Sequence, residues 1–178
     1  IICSHAGLNG FSKMDASIKD NDVIAKARKH KLNRWSINPS NEEVNIIHRS
    51  GGLIGLMVDK GMLGGVQTIR KATSIENAEK QRMEFCRIFW DNAFQAVKSV
   101  GSKEGWDVLA LGTDFDGTIT HMDPYHSAAK MPDFQADLIR FLETTEHQQE
   151  LWMGYTPTQL VEKIMYANAM QFYERFFV

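Results

Sequence analysis

The segment Gly112-Thr113-Asp114-Phe115-Asp116-Gly117 places two carboxylates directly after a short apolar run. Burying a carboxylate is costly unless a metal ion or hydrogen bonds compensate for the lost water. If strand geometry continued through Asp114 and Asp116, alternation would direct both side chains to one face; if the strand ends earlier, the second aspartate would instead cap the loop. In either case the sequence predicts that Asp114 is a catalytic carboxylate at the end of a strand.

His5 is a second candidate, because it follows the apolar run that begins at Ile1. A neutral imidazole at a strand end suits Zn²⁺. Spacing alone more often indicates a hydrogen-bonded histidine beneath a loop. His121 and His126, in the loop after Asp114, have the spacing of loop polar groups rather than of ligands.

The elements that would position these residues alternate along the chain. Apolar runs predict three buried strands, at 1–4, 53–58 and 108–111. Helical patterns cover 74–100, 134–142 and, more weakly, 22–30. Two further helices open with capping boxes, Ser40 with Glu43 and Thr156 with Gln159. Strands that alternate with helices indicate an α/β protein with parallel strands.

A sheet of three parallel strands with two open edges makes a poor isolated domain. We therefore expect residues 1–178 to form a single domain that is the C-terminal portion of a (β/α)8 TIM-type barrel. The chain begins with Ile-Ile-Cys inside the first strand, so an N-terminal portion is expected to precede it. In a barrel the chemistry lies in the loops after the strands, where His5 and Asp114 would meet.

Composition narrows the classes of partner. A net charge of -2 gives no reason to expect nucleic acid or an anionic membrane. No apolar run approaches the roughly 18–20 residues that a membrane-spanning helix needs. The two cysteines, Cys3 and Cys86, are too few for a disulfide framework and are expected to be buried small hydrophobes. The four tryptophans, which include Trp35, are expected to pack inside the protein.

The order of these motifs resembles the renal (membrane) dipeptidase family of zinc-dependent, amidohydrolase-like barrel hydrolases. The resemblance covers most of the chain in blocks: Ser4-His5, Glu42-Glu43-Val44, Gly51-Gly52-Leu53-Ile54-Gly55, Gly112 to Gly117, and the helix at Ala167-Asn168. It implies hydrolysis of dipeptides or related small amides by a water that bridges two zinc ions. A small peptide is then the substrate, and a homodimer is left open.

By this resemblance, each candidate residue has a role. His5 looks like a ligand of the second zinc in a binuclear Zn²⁺ site, and Asp114 looks like the proton acceptor and donor around the bridging water. Arg34 looks like the substrate-binding arginine that grips the substrate carboxylate, although the segment between His5 and Arg34 is longer than in the family. The other family ligands belong upstream of this chain. One ligand does not hold zinc, so the chain alone is expected to be inactive.

Two alternatives remain open from the residues. The run from Asp114 to Thr120 also resembles the first motif of haloacid-dehalogenase-like phosphatases, with Asp114 as the phosphoryl-accepting nucleophile, Asp116 as the acid/base and Mg²⁺ as the cofactor. That motif normally follows the first strand of its domain. A non-catalytic barrel fragment that serves as a binding or assembly module is the other alternative.

Overall fold

The computed structural model describes residues 1–19 and 30–178 of the chain. Its strands are β1 (Ile2–Ala6), β2 (Leu53–Leu56) and β3 (Leu109–Leu111). Its α-helices are α1 (Met14–Lys19), α2 (Asn41–Arg49), α3 (Lys60–Leu63), α4 (Val66–Thr73), α5 (Ala78–Val100), α6 (Met131–Thr145), α7 (Pro157–Glu162) and α8 (Asn168–Phe177). Short 3₁₀ helices cover Lys103–Val108, Ala128–Lys130 and Gln149–Leu151, and a π-helical turn, Lys163–Ala167, joins α7 to α8.

The three strands form one parallel sheet in the order β1-β2-β3, and helices follow each strand along the chain. The prediction of a mixed α/β protein with about three parallel strands is therefore confirmed. The helices α2 and α5 pack on β2. The strand residues Ile54 and Leu56 are fully buried in this layer, together with Trp90 and Phe94 of α5. The main hydrophobic core thus lies on the helix-covered face of the sheet.

Both predicted capping boxes are present. Ser40 Oγ accepts a hydrogen bond from the Glu43 amide at 3.4 Å, and Glu43 Oε2 accepts one from the Ser40 amide at 2.8 Å. Thr156 and Gln159 make the same reciprocal pair at the start of α7. These two helix starts are confirmed because the capping groups are local in sequence.

The predicted helix over 74–100 begins four residues later, at Ala78. The side chain of Asn77 accepts a hydrogen bond from the Lys80 amide at 2.9 Å and so caps the helix there. The helix ends at Gly101, whose φ of 77° lies in the left-handed region. The weak helical pattern over 22–30 lies outside the described residues except for His30.

The prediction that β1 is a buried strand is wrong. Ile2 is 55% exposed, and Cys3 is half-buried rather than buried. The physical reason is position: β1 is an edge strand, and no described segment covers its outer side as β2 covers its inner side. Trp35 was also expected to pack inside, but it is 40% exposed on the loop after β1.

The opposite edge of the sheet, β3, is partly covered. The side-chain amide of Asn168 donates hydrogen bonds to the carbonyls of Leu109 and Trp106, each at 2.7 Å. Asn168 is 3% exposed at the start of α8, so the end of the chain packs against β3. None of the helices in the described ranges is both long and apolar enough to cross a membrane.

Candidate functional site

The segments that carry the candidate residues lie at the carboxyl ends of the strands. These ends are on the same side of the sheet because all three strands are parallel. The backbones also approach closely there. A Cβ atom built on Gly112 would lie 2.2 Å from the carbonyl oxygen of Ser4, and one built on Gly55 would lie 2.2 Å from the same atom. Only glycine permits this approach. It brings Ser4, which precedes His5, against Gly112, which lies two positions before Asp114.

A β-bulge sets the direction of His5. Cys3 pairs with Ile54 and Ala6 pairs with Leu56, so β1 uses three steps where β2 uses two. Cys3 packs against the core and Ala6 is 1% exposed, whereas Ser4 and His5 are both exposed. The extra residue thus puts two consecutive side chains on the face away from the helices.

On that face, Ser4 Oγ and His5 Nδ1 form a hydrogen bond of 2.7 Å. When Nδ1 donates its proton to the hydroxyl, Nε2 keeps a lone pair that faces away from it. A histidine whose second nitrogen is held in this way is oriented as metal-binding histidines usually are. The interpretation of His5 as a histidine beneath a loop does not describe its exposed position.

Asp114 and Asp116 lie in a turn rather than in a strand. The strand β3 ends at Leu111, and the Gly117 amide donates a hydrogen bond of 3.0 Å to the Asp114 carbonyl. The φ angles are +53° for Asp114 and +68° for Asp116. A non-glycine residue in this region costs on the order of 1 kcal/mol, and such residues concentrate at functional sites. The strand alternation considered for the two aspartates is therefore wrong, because the strand ends three residues earlier.

The turn is compact around its first carboxylate. A Cβ atom on Gly117 would lie 2.8 Å from Asp114 Oδ1 and 3.0 Å from the Asp114 carbonyl oxygen. The Asp114 carboxylate therefore folds over Gly117, and it is half-buried while Asp116 is exposed. The sequence predicted that both carboxylates would lose water on burial at a cost in free energy. Only Asp114 is even half-buried, so this cost applies to Asp114 alone and only in part.

Asp59, three residues after β2 and directly before α3, anchors the loop that follows the turn. It is 5% exposed, and its Oδ2 accepts a hydrogen bond of 2.5 Å from the Thr120 amide. Its Oδ1 accepts one of 2.7 Å from the Met62 amide and caps α3. The Lys60 amide also donates to the Thr120 carbonyl at 2.9 Å. Sequence reasoning missed this role, although an aspartate directly before a helix signals the cap.

Buried asparagines hold the loop after β1. Asn38 is fully buried; its Oδ1 accepts a hydrogen bond of 2.9 Å from the Gly7 amide, and its Nδ2 donates one of 2.8 Å to the Met62 carbonyl. Asn92, on α5, is also fully buried and accepts one of 2.8 Å from the Leu8 amide. No pattern in the sequence pointed to these asparagines, because each bonds to residues far away along the chain.

A cavity of about 430 Å³ opens beside the turn. Asp116 and Gly117 line one part of it, and His121 and His126 line another. The centroids of the two imidazole rings are 5.9 Å apart. The two histidines that the sequence places in the loop after Asp114 therefore lie together, next to the turn.

Arg34 lies in a different cavity, of about 490 Å³, which it lines together with Lys98 and His147. Its guanidinium carbon is 3.6 Å from the centroid of the Phe11 ring. Among the described residues, the two cavities share no lining residue. The structure thus places His5 and Asp114 near the carboxyl ends of the parallel strands but does not place Arg34 beside the turn, and the role of Arg34 stays a prediction.

The described residues do not form a zinc site by themselves. Within 1–19 and 30–178, no three histidine, cysteine, aspartate or glutamate side chains are grouped so that they could hold a metal ion. His5 could supply one ligand, and a structural or catalytic zinc needs at least three from protein. Any zinc bound here needs further ligands from another segment.

Comparisons with known proteins leave the chain without an assigned family. No family model matches it, and no curated protein matches it.

Proposed function

We propose that this chain is part of a zinc-dependent barrel hydrolase of the renal dipeptidase type, which hydrolyses dipeptides or related small amides. In this proposal the chain contributes the acid/base carboxylate of Asp114 and one metal ligand, His5. The observation that supports it is the close approach of Ser4 to Gly112. This approach brings the segments of His5 and Asp114 together at the carboxyl ends of the parallel strands.

Asp114 suits a residue that transfers protons. It is half-buried, so its carboxylate can reach a bound substrate while it still exchanges protons with water. The turn from Asp114 to Gly117 and the loop anchored by Asp59 limit where it can move. A general acid/base acts only within hydrogen-bond reach of the proton that it takes, so a fixed turn is an advantage.

His5 suits a metal ligand held by its neighbour. The bulge places it on the face away from the helices, and the hydrogen bond to Ser4 fixes one ring nitrogen. Zinc ions, when bound, lower the pKa of a water molecule and polarise the scissile carbonyl. The remaining ligands would come from a segment outside the described residues.

The open edge of β1 supports a larger sheet. Ile2 on this strand is 55% exposed and Ile1, directly before it, is 60% exposed. The outer hydrogen-bonding groups of β1 form an edge that no described segment covers. Closed barrels remove such edges by adding strands until the sheet meets itself. We therefore keep the C-terminal portion of a (β/α)8 barrel as the proposed architecture, with the next strand beside β1.

The central test replaces Asp114 by asparagine in the full-length protein. Asp114→Asn keeps the shape of the side chain but removes its ability to accept a proton, so we expect dipeptide turnover to fall by about 100-fold or more. Zinc content, measured by atomic absorption, should stay near two ions per chain. The matched control is Asp133→Asn, an exposed carboxylate on α6, which should keep full turnover.

His5→Ala tests the metal ligand separately. Zinc stoichiometry should fall below two ions per chain, because one ligand is lost. Unchanged hydrolysis in Asp114→Asn would remove the proposed role of that residue. Retention of two zinc ions in His5→Ala would remove His5 from the ligands.

The phosphatase alternative has less structural support. Asp114 follows β3, the last strand along the chain and an edge of the sheet, and residues 112–178 contain no further strand to carry a downstream lysine and an acidic pair. Mg²⁺-dependent phosphate-ester hydrolysis that disappears in Asp114→Asn would favour it. Absence of metal and of any turnover in the full-length protein would favour the non-catalytic module.

A further inference from the structure

The cavity beside the Asp114 turn brings an acid and two bases together around one partly open space. The carboxylate is that of Asp116, and the bases are the imidazoles of His121 and His126. Its volume of about 430 Å³ lies within the roughly 300–1,000 Å³ of small-molecule sites. Besides Gly117 and Ser127, the remaining lining residues are apolar: Phe115, Ile119, Ala128 and Ala129.

Buried neighbours hold the two histidines in place. Both imidazoles are exposed, but His121 directly precedes Met122 and His126 directly follows Tyr125. Met122 and Tyr125 are both fully buried. The Met122 amide donates a hydrogen bond of 3.1 Å to the carbonyl of Val58, two residues after β2. The two rings are therefore attached to backbone that the core fixes.

Tyr125 is the stronger of the two anchors. Its hydroxyl donates a hydrogen bond of 2.9 Å to Asp137 Oδ2 on α6, and its ring lies 4.6 Å from that of Phe134. Burial, together with the negative charge of Asp137 and the neighbouring Cys86 thiol, raises the pKa of Tyr125, so the hydroxyl stays protonated and keeps donating. His126 is thus set beside a rigid point of the loop.

We infer that this cavity binds a small zwitterion, such as a free amino acid, with its ammonium group on Asp116 and its carboxylate on the N–H groups of His121 and His126. An anion alone would face the Asp116 carboxylate, and a cation alone would use that carboxylate but neither imidazole N–H group. A zwitterion satisfies all three groups, and the apolar lining accommodates its side chain.

This inference rests on the proposed function, because it names the substrate class: the cavity would hold the amino acid that a peptide contributes or that hydrolysis releases. The turn joins the two sites. Gly117 lines the cavity, and Asp114 Oδ1 lies so close to it that an added Cβ would be 2.8 Å away. A molecule in the cavity would therefore lie beside the Asp114 carboxylate.

Calorimetry on the full-length protein, freed of metal with EDTA, tests the inference with three probes. Leucine carries both charges, N-acetyl-leucine only the carboxylate, and leucinamide only the ammonium group. We expect leucine to bind and each of the other two to bind about tenfold more weakly, since each loses a hydrogen bond between charged groups. Absence of leucine binding, or equal affinity for all three probes, overturns the inference.

The variants assign the charges to residues. Asp116→Asn should weaken leucine about tenfold and leave N-acetyl-leucine unchanged, and His126→Ala should weaken leucine and N-acetyl-leucine but leave leucinamide unchanged. His126→Gln keeps an N–H donor and should recover part of the affinity. His48→Ala is the control, because His48 lines another cavity. Leucine affinity unchanged in Asp116→Asn overturns the inference.

The outcomes separate the two proposals. Binding is measured without metal or turnover, so a failed titration beside the expected loss of hydrolysis in Asp114→Asn rejects only the zwitterion site. Leucine binding without any dipeptide hydrolysis by the full-length protein rejects only the proposed function.

Discussion

At the scale of single residues, one inserted position decides where His5 faces. Without the bulge, strand alternation would put Ser4 and His5 on opposite faces of β1. With it, both lie on the exposed face, and Ala6 takes the buried position opposite Leu56. The bulge requires glycine at positions 55 and 112. The displaced Ser4 carbonyl occupies the space that a side chain at either position would need.

Gly112→Ala tests this requirement. The added methyl group would lie 2.2 Å from the Ser4 carbonyl oxygen and 3.0 Å from the Gly55 backbone, so β1 or β3 must shift. We expect the free energy of unfolding, measured with urea, to fall by about 1–3 kcal/mol, which is typical of overpacking.

Gly61→Ala is the matched control for Gly112→Ala. Gly61 lies within α3, and the nearest atom to its added methyl would be a carboxylate oxygen of Asp59 at 3.1 Å. Its effect should be within about 0.5 kcal/mol. Equal stability of the two variants would show that the close approach at Gly112 is not a constraint.

At the scale of elements, the loops at the site are held by side chains from other elements. Asp59 ties the loop after β3 to the end of β2, and Asn38 ties the loop after β1 to α3. Loops that carry functional groups are useful only when a rigid scaffold positions them. These hydrogen bonds hold the loops in a defined position although the strands that carry them are short.

Asn38→Ala should loosen the loop after β1. The variant leaves the Gly7 amide and the Met62 carbonyl without their partner in a buried place, and unsatisfied buried groups cost about 1–3 kcal/mol each. We expect a lower midpoint of urea unfolding and faster hydrogen exchange of the Gly7 amide.

Asn45→Ala on α2 is the control for the loop variant. Asn45 is only half-buried, so water can replace its hydrogen bonds to the Asn41 and Ser99 carbonyls. Hydrogen exchange at Gly7 should not change in this variant. The same exchange rate in Asn38→Ala would argue against the proposed tie.

At the scale of the whole molecule, the two edges of the sheet differ. The outer side of β3 is partly covered by α8 and by the Asn168 hydrogen bonds, whereas β1 exposes apolar side chains along an open edge. Open edges pair with other strands when they find them. Among the described residues, β1 is therefore the edge at which the sheet can most readily grow.

Ile2→Lys should block that growth, because a charged residue on an edge strand opposes pairing. We expect the 178-residue chain to self-associate as its concentration rises and Ile2→Lys to stay monomeric, as measured by sedimentation velocity. Ile37→Lys is the control: Ile37 is 58% exposed, but it lies on the loop outside the sheet. If both variants associate like the parent chain, the edge is not the contact.

Local signals in the sequence determined much of the fold. The apolar runs located three parallel strands, and the capping boxes at Ser40 and Thr156 marked the starts of two helices, because these interactions join residues only a few positions apart. The segment from Gly112 to Gly117 was also predicted to be a loop at the end of a strand, although the positive φ angles of Asp114 and Asp116 were not foreseen.

Only the tertiary structure decided how these parts face one another. The exposure of β1 depends on which strand lies beside it, and the bulge at His5 depends on its pairing with β2. Likewise, Asp59 and Asn38 bond to partners distant in sequence, and His121 lies beside His126 only because buried neighbours fix the loop. Such contacts arise when the chain packs, and no local pattern of residues encodes them.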